Sequence, residues 1–445
     1  MKTKEVKKTL DEFEIERTLG SGYTGKVKLG RSKKDDELYA LKILDPTKKA
    51  DEKDLILKSL QIEERYLKEV EHKNIVRFHG LVEKGVYRSK GRTKIVSYVV
   101  LEYVPNGELF NILFHAEKLS ENCARHYFGQ LISAQKYLRS RSIAHRDIKP
   151  ENLLLGREMD LMLADFGFAT TLDPENRSTT HVGTKSYMAP EVLAGKSSYD
   201  AVKSDTFSSG IVLFVMLMAK PPFTQASSKC QMYKLLQSDR SQFFSIFETY
   251  VKCQLSREVK ELLGKLFDPD PEARPSFEEI LESEWMAIQT DIAAARTEMT
   301  QKVEATRRCI ELQNLEEELD RKSTKLVTRA DMQNGDVNQF EKLKIESDSQ
   351  DSTPALRVKT PNLPLVFREL GARFKAEEKG ELDLDEKNRL RFSNGNCQIK
   401  LKTSSEANGV FALSMHREMG EYFEFQELRR VFVRAVQTLN AESES

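Results

Sequence analysis

The segment His145-Arg146-Asp147-Ile148-Lys149-Pro150-Glu151-Asn152 gathers carboxylates, cations and an amide in one short stretch, and Asp165-Phe166-Gly167 follows it. Moving a phosphoryl group from a nucleotide to a hydroxyl needs a carboxylate near the attacking oxygen, ligands for magnesium, and a cation on the phosphates. Asp147 can accept the hydroxyl proton. Lys149 can sit beside the transferring phosphate, and Asn152 with Asp165 can hold the metal. The apolar runs Leu153-Leu154-Leu155 and Leu161-Met162-Leu163 lie between these groups. The charges therefore stand on a buried framework rather than on a simple polar turn.

Upstream, Gly20-Ser21-Gly22-Tyr23-Thr24-Gly25-Lys26-Val27 has the pattern G-x-G-x-x-G-x-V. Glycines let backbone N–H groups approach phosphate with no Cβ in the way. Taken alone, such a loop is a glycine hairpin as readily as a phosphate cradle. The segment Leu38 to Leu44 alternates like a strand, so Ala40 and Lys42 share a face. The small residue leaves space for a base, and the lysine reaches for phosphates. Lys42 needs a counter-charge. Ile56, Leu60, Leu67 and Val70 mark one helical face, and Glu63 falls on that stripe, where an unpaired charge is costly. Glu64 points about 100° away and fits less well.

In this order, these segments resemble the glycine-rich loop, strand lysine, helix glutamate, catalytic loop and magnesium loop of protein kinases. The resemblance implies an α+β, bilobal fold, with a small β-rich lobe over a larger helical lobe and ATP with Mg2+ between them. It implies that Leu19, Gly20, Ser21, Gly22, Tyr23, Thr24, Gly25, Lys26 and Val27 cover the nucleotide. Leu101 would sit beside adenine as gatekeeper, the backbone of Glu102 and Val104 would hydrogen-bond the base, and Glu108 would reach the ribose. Glu151 and Leu154 complete the implied nucleotide pocket. Glu108 is also compatible with an acidic residue placed at a helix start by the dipole.

The stretch from Asp165 to Glu191 has the layout of a kinase activation segment and ends Met188-Ala189-Pro190-Glu191. Lys149 after Asp147, with Thr184 after Gly183, looks like the serine/threonine subgroup. Arg146 precedes Asp147 and can pair a phosphate. Thr180 stands where the family often carries that phosphate, with Ser178 and Thr179 as alternative sites, which implies an upstream activating kinase. Asp205 resembles the aspartate that bonds the catalytic-loop backbone, and Arg274 is the expected buried partner of Glu191. Two features depart from the family pattern: Phe207 replaces the usual tryptophan, and a basic insertion runs from Lys84 to Lys94. The group resembled is the calmodulin-dependent/AMP-activated-kinase-like one, checkpoint kinases included. The rival readings are another kinase group with an unrelated tail, and a pseudokinase scaffold.

At 445 residues and zero formal net charge, the chain has room for two or three domains and no general attraction for nucleic acid or membrane. Its five cysteines are scattered and lack Cys-x-x-Cys spacing, which fits a reducing compartment, cytoplasmic or nuclear. The N-terminus lacks the apolar run of a signal peptide, and the apolar run 210–219 is short of the ~20 residues that span a bilayer.

The kinase resemblance covers residues 14–286. Residues 287–329 read as a long charged helix, solvated rather than coiled-coil because the apolar repeat does not hold. Residues 330–361 read as a disordered linker. In 362–440 a helix from Pro364, strands at Arg389–Phe392, Cys397–Leu401 and Val410–Met415, and a closing amphipathic helix Phe423–Leu439 are expected. That small α/β layout resembles the kinase-associated-1 domain. The resemblance implies restraint of the catalytic domain or contact with anionic lipid, for which Arg389, Arg391, Lys400 and Lys402 supply paired cations. A partner-docking module and a plain solvated face are the alternatives, since the acidic run 377–386 balances these cations.

Overall fold

A computed structural model describes residues 8–22, 25–44, 50–89, 91–330, 344–346, 355–359, 381–384, 390–393, 398–405 and 410–419. The chain divides into two compact units, Met1–Arg307 and Arg308–Ser445.

The first unit begins with strands β1 (Thr9–Leu10), β2 (Phe13–Gly22), β3 (Gly25–Ser32) and β4 (Leu38–Leu44), then helix α1 (Ala50–Leu67) and strands β5 (Phe78–Ser89) and β6 (Arg92–Glu102). These strands close a barrel in the order β1-β2-β3-β4-β6-β5. The two-residue β1 makes the closure, because Leu10 pairs with Phe13 on one side and Tyr87 on the other. Strand alternation sorts β4 onto two faces. Leu41 and Ile43 join Phe13, Val96, Tyr98 and Val100 inside the barrel, while Ala40 packs with the core of the lower lobe. The basic insertion expected at Lys84 to Lys94 is the end of the β5–β6 hairpin, with Arg88 opposite Thr93.

The lower lobe follows as α2 (Leu109–Ala116), α3 (Glu121–Ser140), β7 (Ile143–Ala144), β8 (Leu153–Leu155), β9 (Leu161–Leu163), β10 (Thr170–Thr171), β11 (Arg177–Ser178), α4 (Pro190–Leu193), β12 (Tyr199–Asp200), α5 (Ala201–Met218), α6 (Gln231–Ser238), α7 (Arg240–Val251), α8 (Arg257–Leu266), α9 (Phe277–Leu281), α10 (Glu284–Ala287) and the first part of α11 (Ile292–Ala330), which runs on past Arg307. Helix starts are marked in the sequence. Ser120 accepts from the Cys123 N–H, Ser256 from Val259, and Ser276 forms a capping box with Glu279. Such caps contribute about 1 kcal/mol each.

Helix α5 is the axis of this lobe. It is apolar enough by composition to cross a bilayer, yet 94% of it is buried inside the protein. Gly210 lets it approach α8: a Cβ there would lie 2.8 Å from the Cβ of Leu266. Phe207, which stands where a tryptophan was expected, is fully buried against Phe223 and Phe267, and the guanidinium of Arg274 lies 4.9 Å from its ring centre. The phenyl ring fills the core and keeps a face for the cation, at an expected cost of about 3–5 kcal/mol if cut back to alanine.

Helix α11 corrects one expectation. Its first four turns are not solvated: Ala295, Met299, Val303 and Thr306 are buried on the lower lobe. Their spacing of four, four and three makes one helical face. Alanine and threonine carry little apolar signal, so the stripe was hidden. Ile310, further along the helix, is 37% exposed.

The second unit contains strands β13 (Lys344–Glu346), β14 (Ala355–Lys359), β15 (Glu381–Leu384), β16 (Leu390–Ser393), β17 (Gln398–Ser405) and β18 (Val410–Met419). They form one antiparallel sheet in the order β13-β14-β18-β17-β16-β15. Two of these strands fall within 330–361, so that stretch is not linker throughout. The sequence Ala355-Leu356-Arg357-Val358-Lys359 alternates apolar and basic residues, which is a strand pattern. The helices expected from Pro364 and over Phe423–Leu439 lie outside the described residues.

Candidate active site

The site is assembled where β4, α1 and the turns around β7–β9 meet. Lys42 on β4 and Glu63 on α1 form an ion pair, Nζ to Oε2 at 2.9 Å, with the Glu63 side chain fully buried. The same ammonium lies 2.8 Å from Oδ1 of Asp165. Burial opposes charge at Lys42, but the carboxylates of Asp165 and Glu63 outweigh it and hold the ammonium above its ordinary pKa. Burial likewise works to raise the Asp165 carboxyl, yet Lys42 beside it pushes the pKa down to about 2. Burial pushes Glu63 up, against the pull of Lys42. Asp165 is thus ionised at neutral pH and available to a divalent cation. The register anticipated for α1, with Glu63 rather than Glu64 facing Lys42, is the one observed.

Asp147 is buried and densely held. Asn152 Nδ2 donates to its Oδ2 at 2.9 Å and to its backbone oxygen at 2.8 Å. Lys149 Nζ lies 2.8 Å from Oδ2. The Thr184 N–H and hydroxyl donate to Oδ1 at 3.1 and 2.9 Å. Burial works to lower Lys149, but Asp147 outweighs it and raises the pKa. The amide nitrogen of Asn152 is committed to Asp147, so its oxygen is the atom left for a metal. Asp165 and Asn152 offer hard oxygen ligands, the set that suits magnesium shared with phosphates.

The loop carrying Asp147 is fixed from beneath. Asp205 on α5 accepts the backbone N–H groups of His145 and Arg146 at 2.8 and 2.9 Å. Burial raises the Asp205 carboxyl to about 7, against those two donors. Arg146 needs that support, because its φ is +64°. The His145 ring stands edge-on to Phe166 at 4.8 Å, and burial lowers its pKa. Gly183 makes the next close approach: its φ is +111°, and a Cβ would meet the Arg146 carbonyl oxygen at 2.6 Å.

The side expected to face adenine is apolar. Ala40, Leu101 and Val104 are buried in one cluster, with Leu19, Val27 and Leu154 packed on it. The end of β6 is pinned by Glu102 N–H donating to Arg77 O at 2.9 Å. Glu108 is the N-cap residue of α2, at the helix start where the dipole favours an acid, and its side chain makes no cap hydrogen bond. Burial raises its carboxyl to about 7, with Lys149 opposing. Gly20, Ser21, Gly22, Gly25 and Lys26 lie on the β2–β3 hairpin, where Gly25 has φ +146°. Glu151 sits in the one-turn helix Pro150–Asn152. Tyr23 and Thr24 lie outside the described residues.

In the activation segment, Arg146 Nε donates to Phe168 O and Nη1 to Ser178 Oγ, both at 2.8 Å; Nη1 also donates to the Thr180 hydroxyl. Ser178 is buried and Thr180 is exposed. The Glu191–Arg274 pair is bidentate, at 2.8 and 2.7 Å, and buried.

Residues 13–286 match the model of the protein kinase domain, more than half of the chain. The chain belongs to the protein kinase family. CBL-interacting protein kinase 32 of Oryza sativa subsp. japonica is 36% identical over 288 residues, 64% of this chain and 61% of that protein. CBL-interacting serine/threonine-protein kinase 20 of Arabidopsis thaliana is 37% identical over 279 residues, 62% of this chain and 58% of that protein. The chain thus spans about three-fifths of the length of these relatives, and the shared part is the kinase domain. Sequence reasoning missed the Thr184 contact to Asp147. Its only signal was the pairing of Lys149 with a threonine after Gly183, read there as a mark of subgroup. It also missed the buried face of α11.

Proposed function

We propose that this kinase transfers the γ-phosphoryl group of ATP to serine or threonine hydroxyls of protein substrates. The observation that carries the reading is the constellation around Asp147, where Lys149, Asn152 and Thr184 all converge on one buried carboxylate. ATP with magnesium supplies the transferable group. Asn152 and Asp165 hold the metal, and Lys42, fixed by Glu63, takes the phosphates. Asp147 orients the substrate hydroxyl and accepts its proton as the new O–P bond forms and the bond to the leaving ADP oxygen breaks. Lys149, between Asp147 and Thr184, stabilises charge on the moving phosphoryl group. The pseudokinase reading requires a missing group, and each chemical residue is present. Incorporation of labelled phosphate from ATP into a generic basic protein, set against an Asp165→Asn control, tests the proposal. Equal labelling by both would overturn it.

Regulation is proposed through Thr180. A phosphate there adds nearly two negative charges beside Arg146, which already reaches that hydroxyl. The donor of that phosphate would be an upstream kinase. The relatives' names describe interaction with CBL. Because the similarity is confined to the kinase domain, what carries over is the phosphotransfer chemistry. For residues 362–440 we propose a kinase-associated-1-like domain. The meander of β15, β16, β17 and β18 supports it. It would restrain the catalytic domain, with docking on anionic lipid as the alternative. The domain 362–440, added back to a chain ending near residue 330, tests restraint by activity, and pelleting with acidic vesicles tests lipid contact.

A further inference from the structure

The first turns of α11 are tied to the lower lobe at intervals along their length. Asn122 and the Asp291 backbone exchange two hydrogen bonds, at 2.8 and 2.9 Å. Arg296 reaches Asp160 at 2.9 Å, and Glu298 accepts from Ser120 N–H at 2.8 Å. Lys302 Nζ donates to the Ala116 carbonyl at 2.6 Å. The run ends at Arg307, whose Nη2 donates to Asn106 Oδ1 at 2.6 Å.

Asn106 lies in the turn between β6 and α2, two residues before Glu108. Its amide is used at both ends. Nδ2 donates to Gly156 O at 2.6 Å, while Oδ1 takes Arg307. Its backbone N–H donates to Leu155 O at 3.1 Å, Leu155 N–H returns to Gly107 O at 2.9 Å, and Glu108 bridges to Leu154. The turn and the β8–β9 hairpin are thereby locked together across the place where the ribose carboxylate Glu108 and the pocket residue Leu154 must meet. An arginine on Oδ1 fixes which way the amide faces. A flipped amide would put its oxygen against the Gly156 carbonyl and break the lock.

We infer that Arg307, outside the kinase domain proper, is a positioning residue for the adenosine end of the nucleotide, acting through Asn106. The inference rests on the proposed ATP chemistry. It separates the helix after the domain into an anchoring face, Ala295, Met299 and Val303, and a tip that sets nucleotide affinity.

The test uses the full chain and two probes, ADP and adenosine, by titration calorimetry. Arg307→Ala is expected to weaken both by the same factor, about three- to tenfold, the size of one ordinary net hydrogen bond. Asn106→Ala should weaken them similarly, and the double variant should add little, because the two residues act as one unit. Arg307→Lys should recover most of the loss. In turnover, KM for ATP should rise while kcat at saturating ATP holds. The anchoring face is untouched, so the fold is retained. Wild-type affinity in Arg307→Ala, or a loss for ADP with none for adenosine, would overturn the inference. Failure of the unaltered chain to bind ADP would instead remove the nucleotide reading, and this inference with it.

Discussion

Lys42 and Glu63, 21 positions apart on a strand and a helix, meet in an ion pair of 2.9 Å whose carboxylate end is fully buried. A buried charge without its partner is strongly unfavourable, so the pair locks α1 against the barrel with Lys42 aimed at Asp165. Lys42→Met should lower turnover by at least about 10²-fold, the scale of one lost electrostatic contact in a preorganised site. Glu63→Gln should reproduce part of that loss, and Glu64→Gln should leave kcat near wild type. Steady-state rates for the three variants check this; a loss in Glu64→Gln alone would contradict it.

A second prediction concerns Thr180. Arg146 already donates to its hydroxyl and to Ser178, so a phosphate on Thr180 has a cation waiting. Thr180→Ala should reduce activity about tenfold or more without changing the thermal midpoint. Mass-spectrometric mapping of the active form should find Thr180 modified. An active form with Ser178, Thr179 and Thr180 all unmodified would remove the switch.

The carboxyl of Glu108 gives a pH dependence with a definite sign. Burial raises it to about 7, so below that pH it is protonated in the folded chain. A ribose hydroxyl donates more strongly to the carboxylate than to the protonated acid. Adenosine, which does not titrate near neutrality, should therefore bind more tightly as pH rises from 6 to 8. In Glu108→Gln the profile should be flat. A wild-type profile that is flat, or that falls with pH, would show the carboxyl is not the ribose contact.

The buried pair Glu191–Arg274 is a stability element, with side chains 2% and 0% exposed. Arg274→Ala leaves a carboxylate buried without its partner and strips the cation from the Phe207 ring. We expect a loss of about 3–5 kcal/mol. Equilibrium denaturation reads it directly, and a change under about 1 kcal/mol would count against the account.

Much of the site was legible because its residues obey short-range rules. The alternation of β4 put Ala40 and Lys42 on one face, and the stripe on α1 selected Glu63 over Glu64. The glycine pattern marked the β2–β3 hairpin. What stayed hidden depends on distance in sequence. Thr184 reaches Asp147 from 37 positions away, and no local pattern announces that contact. The closure of the barrel rests on Thr9 and Leu10, too short a strand to show alternation. The buried face of α11 is built partly from Ala295 and Thr306, whose side chains carry little apolar signal. The strands within 330–361 were obscured by the polar residues around them, although Ala355–Lys359 alternates.

The most direct measurement is the single-turnover rate and ADP affinity of Asp147→Asn beside the unaltered chain. Asparagine keeps the shape of the side chain and cannot take the proton. The account predicts a rate lower by about 10²–10⁴-fold, the usual reach of a general base, with ADP affinity within about twofold of wild type. Phosphorylation by this variant at a near wild-type rate would contradict the assignment of Asp147, and with it the central claim.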